Sequence, residues 1–139
     1  MAAAGRLVAA IFNKTIAGAT TDLLPANITP SALEITAAVT APTVIAGSML
    51  SAYRVTVSLD TAVKFQLRYT DGSTTVDAPF NNDVALVVNS VNTFVFECPR
   101  FAAVGAAAGT ITAMSFNFQV SAGCVVNYLI VSEINAGVL

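Results

Sequence analysis

Histidine and tryptophan are absent from this 139-residue sequence, and charge is scarce. Without imidazole, the commonest general base and the commonest metal ligand are missing. Neither a Ser-His-Asp nor a Cys-His system can be built, and neither can a His-containing zinc site. Without indole, the side chain best suited to stacking on sugars is missing. Walker loops, dinucleotide-binding glycine patterns and CxxC pairs do not occur either, so phosphate cofactors find no cradle. No catalytic residue, cofactor or metal is expected, and a non-enzymatic role is predicted.

The shortage of charge bears on assembly. A soluble domain of this length ordinarily carries roughly 35 charged residues, whereas this one has six basic and eight acidic, with 55% apolar residues. Broad neutral areas of Ala, Val, Thr, Ser and Asn must then face outward, and patches of that kind mark interfaces. Long hydrophobic runs are also lacking. A membrane helix needs about 20 consecutive apolar residues, and a barrel strand about ten, longer than those legible here, so no membrane partner is expected. The basic residues Arg6, Lys14, Arg54, Lys64, Arg68 and Arg100 are scattered, which argues against direct nucleic-acid binding. Arg54, Lys64 and Arg68 are placed by their spacing on one polar sheet face, as ordinary solvated charges.

What is present is alternation. Tyr53, Val55, Val57 and Leu59 interleave with Arg54, Thr56, Ser58 and Asp60, the pattern of a strand with one buried face. Val63, Phe65, Leu67 and Tyr69 repeat it, and Asp60 to Ala62 reads as a hairpin turn that pairs the two strands. Asp71-Gly72 is a further turn, leading to a short strand at Thr74 to Val76. Val84 to Val88 and Thr93 to Cys98 are β-rich runs divided at Asn89-Ser90. Met114 to Val120 alternates, Ala122-Gly123 turns the chain, and Cys124 to Glu133 forms a last strand. In that strand Cys124, Val126, Tyr128 and Ile130 are assigned to one face and Val125, Leu129 and Val131 to the other, so either the strand is central between two packed layers or this second, outward face meets another subunit. Before Tyr53, prolines divide Arg6 to Ile16, Leu33 to Val39 and Val44 to Leu50 into extended pieces. The length fits one domain, residues 1–139, with 1–16 as an N-terminal interface strand or arm. The fold class is all-β: a jelly-roll-like β-sandwich of eight or nine short antiparallel strands.

Several candidates are weaker. Asp71, Asp77 and Asp83 with Asn81 and Asn82 offer oxygens to Ca²⁺, but turn chemistry explains them without a metal. Cys98 and Cys124 fall on apolar strand faces. No secretory signal is legible, because the apolar piece Leu7 to Phe12 is shorter than an h-region, so free thiols are favoured. Phe80 with Asn81 and Asn82 is the best available polar-aromatic patch.

The stretches Tyr53 to Thr75 (YRVTVSLDTAVKFQLRYTDGSTT) and Ser115 to Leu139, in a small His-free β chain rich in Ala, Val, Thr and Ser, resemble the decoration or cement proteins of tailed-phage capsids. The resemblance covers about a third of the chain and transfers no individual functional residue. It implies a virion structural protein on the capsid surface, assembled in the host cytoplasm as a homo-oligomer, often a trimer. Such a subunit stabilises the shell by binding across major capsid proteins. Its expected contact residues are Leu7, Val8, Ile11 and Phe12 of the arm, and Phe101 and Val104 of the small-residue segment Phe101 to Gly109. To these the outward face adds Val125, Leu129 and Val131, and the tail Asn135 to Leu139 adds Val138 and Leu139. The alternatives are a receptor- or carbohydrate-binding sandwich of a phage fibre, and a head-tail connector or tail subunit.

Overall fold

The computed structural model describes residues 6–29, 49–70, 75–97 and 115–138. Seven strands are found among them: β1 (Arg6–Ile16), β2 (Met49–Leu59), β3 (Phe65–Thr70), β4 (Thr75–Pro79), β5 (Asn92–Glu97), β6 (Ser115–Val120) and β7 (Cys124–Val138). They form two antiparallel sheets, A in the order β1-β7-β2-β5 and B in the order β4-β3-β6. The free side of β6 is closed by the segment after β1. Leu23 donates its N–H to the Phe118 carbonyl at 2.9 Å, and Ile28 exchanges both backbone bonds with Phe116. With that segment counted, each sheet is four strands wide, and the first and last strands are neighbours in sheet A. This strand order is that of a jelly roll, eight strands wound as two Greek keys.

The alternating apolar residues explain why the sheets stack. Tyr53, Val55, Val57, Leu59 and Phe96 of sheet A and Phe65, Leu67, Phe116, Phe118 and Val120 of sheet B are all buried in one core. Rings lock the layers together: Tyr53 meets Phe116 edge-on with centroids 4.8 Å apart, Phe96 meets Phe116 edge-on at 5.3 Å, and Phe80 stacks on Phe94 at 4.7 Å. Pairs of this kind add about 0.5–1.5 kcal/mol beyond area burial.

Four expectations are corrected. β2 and β3 do not pair; Asp60 to Ala62 carries the chain from sheet A to sheet B, because the apolar faces of both strands are better covered across the sandwich than side by side. Val84 to Val88 is not a strand, since only Leu86 enters the core while Val84, Val87 and Val88 are exposed. Arg54 lies in sheet A and Arg68 in sheet B, so the three basic residues do not share one face. Asn135 to Val138 is not a tail, because β7 continues through Val138, opposite Met49. The strands expected at Leu33 to Val39 and over most of Val44 to Leu50 lie outside the described residues, as do Asp71, Cys98, Phe101, Val104 and Leu139.

Candidate assembly surface

Which side chains of sheet A face away from the core is decided at Asn127. Ser58 is opposite Tyr128 but Leu59 is opposite Val126, so β7 holds one residue more than β2 at this point. The bulge is pinned by Asn127 Nδ2, which donates to Ser58 Oγ at 3.1 Å and to Asn89 Oδ1 at 2.9 Å. Strand β1 follows the same slip at its facing residue: Asn13 takes a left-handed φ of 51°, a conformation Asn tolerates better than most residues. A one-residue slip moves every later side chain to the other face. Cys124 and Val126 therefore share the core with Leu129 and Val131, and Val125, Tyr128 and Ile130 turn outward.

That overturns the expected outward placement of Leu129 and Val131, both of which are fully buried. Val125 is half-buried on the outer side. The face that results can be followed in rows: Leu7, Ser132, Arg54 and Val95; then Ala10, Ile130, Thr56 and Thr93; then Phe12, Tyr128 and Ser58. Across these rows the described residues carry one charge, Arg54. Leu7 and Phe12 are each 62% exposed. Val8 and Ile11 instead pack partly against the core. Of the residues expected in the tail, Val138 is described only through its backbone pairing.

A second apolar area was not foreseen as a surface. Val84, Val87, Val88, Val91 and Val95 are all exposed, Val87 at 69% and Val91 at 68%. The chain from Val87 to Ser90 turns with Asn89 at φ 57°, and Asn89 N–H is held by the Leu59 carbonyl at 2.8 Å. Of these only Val95 lies in β5; Val84, Val87, Val88 and Val91 precede it, in a segment held to the end of β2 by Leu59 and, through Asn89, to Asn127 of β7. The signal was there in the sequence: the run VALVV lacks the alternation of a half-buried strand.

The charged residues are mostly engaged elsewhere. Arg6 pairs with Glu133 at 3.0 Å, and the buried Tyr53 hydroxyl donates to the same carboxylate at 2.9 Å. Lys14 Nζ donates to the Leu23 carbonyl at 2.9 Å, bridging the margins of the two sheets. Arg68 grips Asp77 with two bonds, 2.7 and 2.9 Å, which hold the guanidinium more firmly protonated. Asp60 accepts from Val125 N–H at 2.7 Å and from Thr61, and its carboxyl is held below its usual range by those bonds. Of the proposed Ca²⁺ ligands, Asp77 is committed to Arg68 and Asp83 lies 3.3 Å from Lys64.

Two other candidates are placed by the packing. Cys124 is a free buried thiol whose pKa is pushed up by burial, with nearby Asp60 adding to it, so it stays protonated and behaves as a small hydrophobe. Phe80 is stacked against Phe65 and Phe94 and offers no free ring to a sugar. A polar cleft of about 240 Å³ on sheet B is lined by Thr20, Asp22, Asn27, Arg68, Asn117 and Gln119 among others, with no aromatic side chain. Among the described residues no group of three or more Cys, Asp or Glu is placed to hold a metal, and no helix is long and apolar enough to cross a membrane.

No protein-family model matches the sequence, and no curated protein is similar to it. Among solved structures the chain is similar to the coat protein of tobacco streak virus, in a structure of its dimer. Identity is 14%, 98% of this chain and 86% of that chain are covered, and the TM-score is 0.36. At that score the likeness decides nothing about function.

Proposed function

We propose that this chain is a non-catalytic structural subunit of a virion, a decoration or cement protein that binds copies of itself and the major capsid protein on the shell surface. One observation carries the reading: the packed jelly roll leaves its largest exposed apolar side chains, Leu7 and Phe12 of β1 and five valines in and just before β5, uncovered by the rest of the chain. Isolated monomers rarely expose such areas without a use for them. Jelly rolls serve viral capsids, lectins and cupins alike, so the fold selects nothing by itself. Here the absence of His argues against a cupin-type metal centre, and the packing of Phe80 argues against a lectin site.

Shell binding would stabilise the assembled capsid in proportion to occupancy, by mass action on the bound form. The experiment is co-sedimentation of the purified protein with capsids that lack it, followed by heating. Saturable binding and a raised shell-disruption temperature are expected. Saturable binding to a glycan array with no binding to shells would replace this reading with the receptor-binding one.

A further inference from the structure

Resting on the assembly reading, we infer that β1 accepts an extended segment of the shell protein as an added strand, laid in the groove between β1 and the chain from Leu24 to Thr29. The occupant is uncharged along the groove, apolar at alternate positions, and carries a carboxylate at the Arg6 end.

Strand β1 ends sheet A, and among the described residues its backbone bonds to β7 alone. Beside it runs a groove of about 540 Å³, walled by Val8, Ala9, Ala10 and Ile11 on one side and by the unbroken run Leu24 to Thr29 on the other. Successive strand residues point to opposite faces, so a groove touched by four in succession lies along the edge of β1 rather than on a face. Unpaired N–H and C=O groups in a row are matched by another backbone in extended form. A lipid or a nucleic acid offers no such alternation of donors and acceptors. Two irregularities set the length: β1 bulges between Leu7 and Ala9, and Asn13 is left-handed. The regular edge is therefore Ala9 to Phe12, about 13 Å, which suits an added strand of about four or five residues.

The floor of the groove selects the side chains of the segment. Leu24 and Ile28 belong to the buried core, and Val8, Ala9 and Ile11 pack only partly against it. On the other side of the sandwich the chain covers its own core: Phe80, in the connection from β4 to β5, stacks on Phe65 of sheet B and on Phe94 of sheet A. No described residue does this beside β1, so apolar side chains of the added strand complete that margin. Lys14 Nζ, bonded to the Leu23 carbonyl at 2.9 Å, ties the two walls together beyond Ile11 and Leu24. At the opposite end stands Arg6, the single charged residue of the lining, its side chain 65% exposed and its Nη2 on Glu133 at 3.0 Å. The remaining guanidinium N–H groups can take a carboxylate, whereas no acid lines the groove to receive a basic segment.

The test uses the full-length protein and capsid shells that lack it. Hydrogen exchange is compared between free and shell-bound protein, and those amides of Ala9 to Phe12 that do not bond to β7 are expected to slow by about tenfold or more. Ala9→Pro and Ala10→Pro are made in parallel. Neighbouring residues aim their N–H groups to opposite sides of the strand, so one proline breaks the ladder to β7 and the other blocks only the free edge. The variant that keeps the wild-type melting temperature should bind shells about tenfold more weakly, the worth of one backbone bond. Should both prolines lower it, Ala26→Glu, an exposed change that fills the groove from the facing wall, should weaken binding likewise. Unchanged exchange at Ala9 to Phe12 on the shell, or full binding by these variants, overturns the added strand and leaves the assembly reading standing. The same protection in concentrated protein without shells gives the edge to a second copy and overturns the assignment to the shell protein. A wild type that does not bind shells overturns both the added strand and the assembly reading.

Discussion

The outer side of sheet B presents Gln66, Arg68, Asp77, Asn117 and Gln119, whereas that of sheet A presents Leu7, Ala10, Phe12, Tyr128, Ile130 and Val95. On sheet B most polar groups are answered within the chain, Gln119 Oε1 being buried without a partner. Asn117 Nδ2 donates to the Leu24 carbonyl at 3.1 Å and its Oδ1 accepts from Leu24 N–H at 3.0 Å; Gln119 Nε2 donates to Asp22 at 2.8 Å. On sheet A the outward polar residues Arg54, Thr56, Thr93 and Ser132 are interleaved with half-buried or exposed apolar groups that the fold does not use. Both sheets feed the same core, so core formation requires only one side of each. On the proposed reading, sheet B is finished toward water and sheet A toward another protein surface.

The contrast breaks first at what the sheets share. Phe118 is fully buried against Phe65, Phe96 and Phe116, and Phe118→Ala should cost about 3–5 kcal/mol in denaturant unfolding. Stability and association should fall together. Gly123→Ala is next. A Cβ there would lie 2.9 Å from the Ala17 carbonyl oxygen, where only backbone can yield, so a loss of about 1–3 kcal/mol is expected, read as a lower melting temperature.

Strand order and the residue pattern show how much could be read in advance. The alternation at Tyr53 to Leu59, Val63 to Tyr69 and Ser115 to Val120 was legible as sheet because period two survives wherever one face is buried, and the β-sandwich followed from strand number and spacing. Strand partners were not legible, since Asp60 to Ala62 has the composition of a hairpin whether or not its strands pair. The outer surface was half legible. Leu7 and Phe12 are exposed, but Leu129 and Val131 exchanged faces with Tyr128 and Ile130 at Asn127. A bulge adds one residue without any compositional mark, and its cause is the geometry of Ser58 and Asn89, which are distant in sequence.

Two smaller effects sharpen the comparison. Phe12→Lys on sheet A should weaken self-association at least tenfold, equivalent to about 1.4 kcal/mol, with little change in melting temperature. Arg68→Ala on sheet B should do the reverse: it breaks a partly exposed pair worth about 1 kcal/mol at most, and sedimentation should show the mass unchanged.

The smallest effect is at the exposed turn that ties β2 to β7. Asp60 has its folded pKa below the ordinary 3.8 because Val125 N–H and Thr61 bond to its charged form. A depressed pKa contributes stability above the unfolded value, and that contribution fades as pH falls through 3.8 toward the folded value. Asp60→Asn should therefore melt slightly below the wild type at pH 6, and the gap should close toward pH 3. A gap that widened in acid would contradict the bond to Val125.

The most direct measurement is sedimentation equilibrium of the unmodified protein over a wide concentration range. Apolar side chains left uncovered on β1 and around β5 predict a weight-average mass rising well above 14.3 kDa once concentration exceeds about 10 µM, where contacts of roughly −7 kcal/mol close. A mass that stayed at the monomer value throughout would contradict the account.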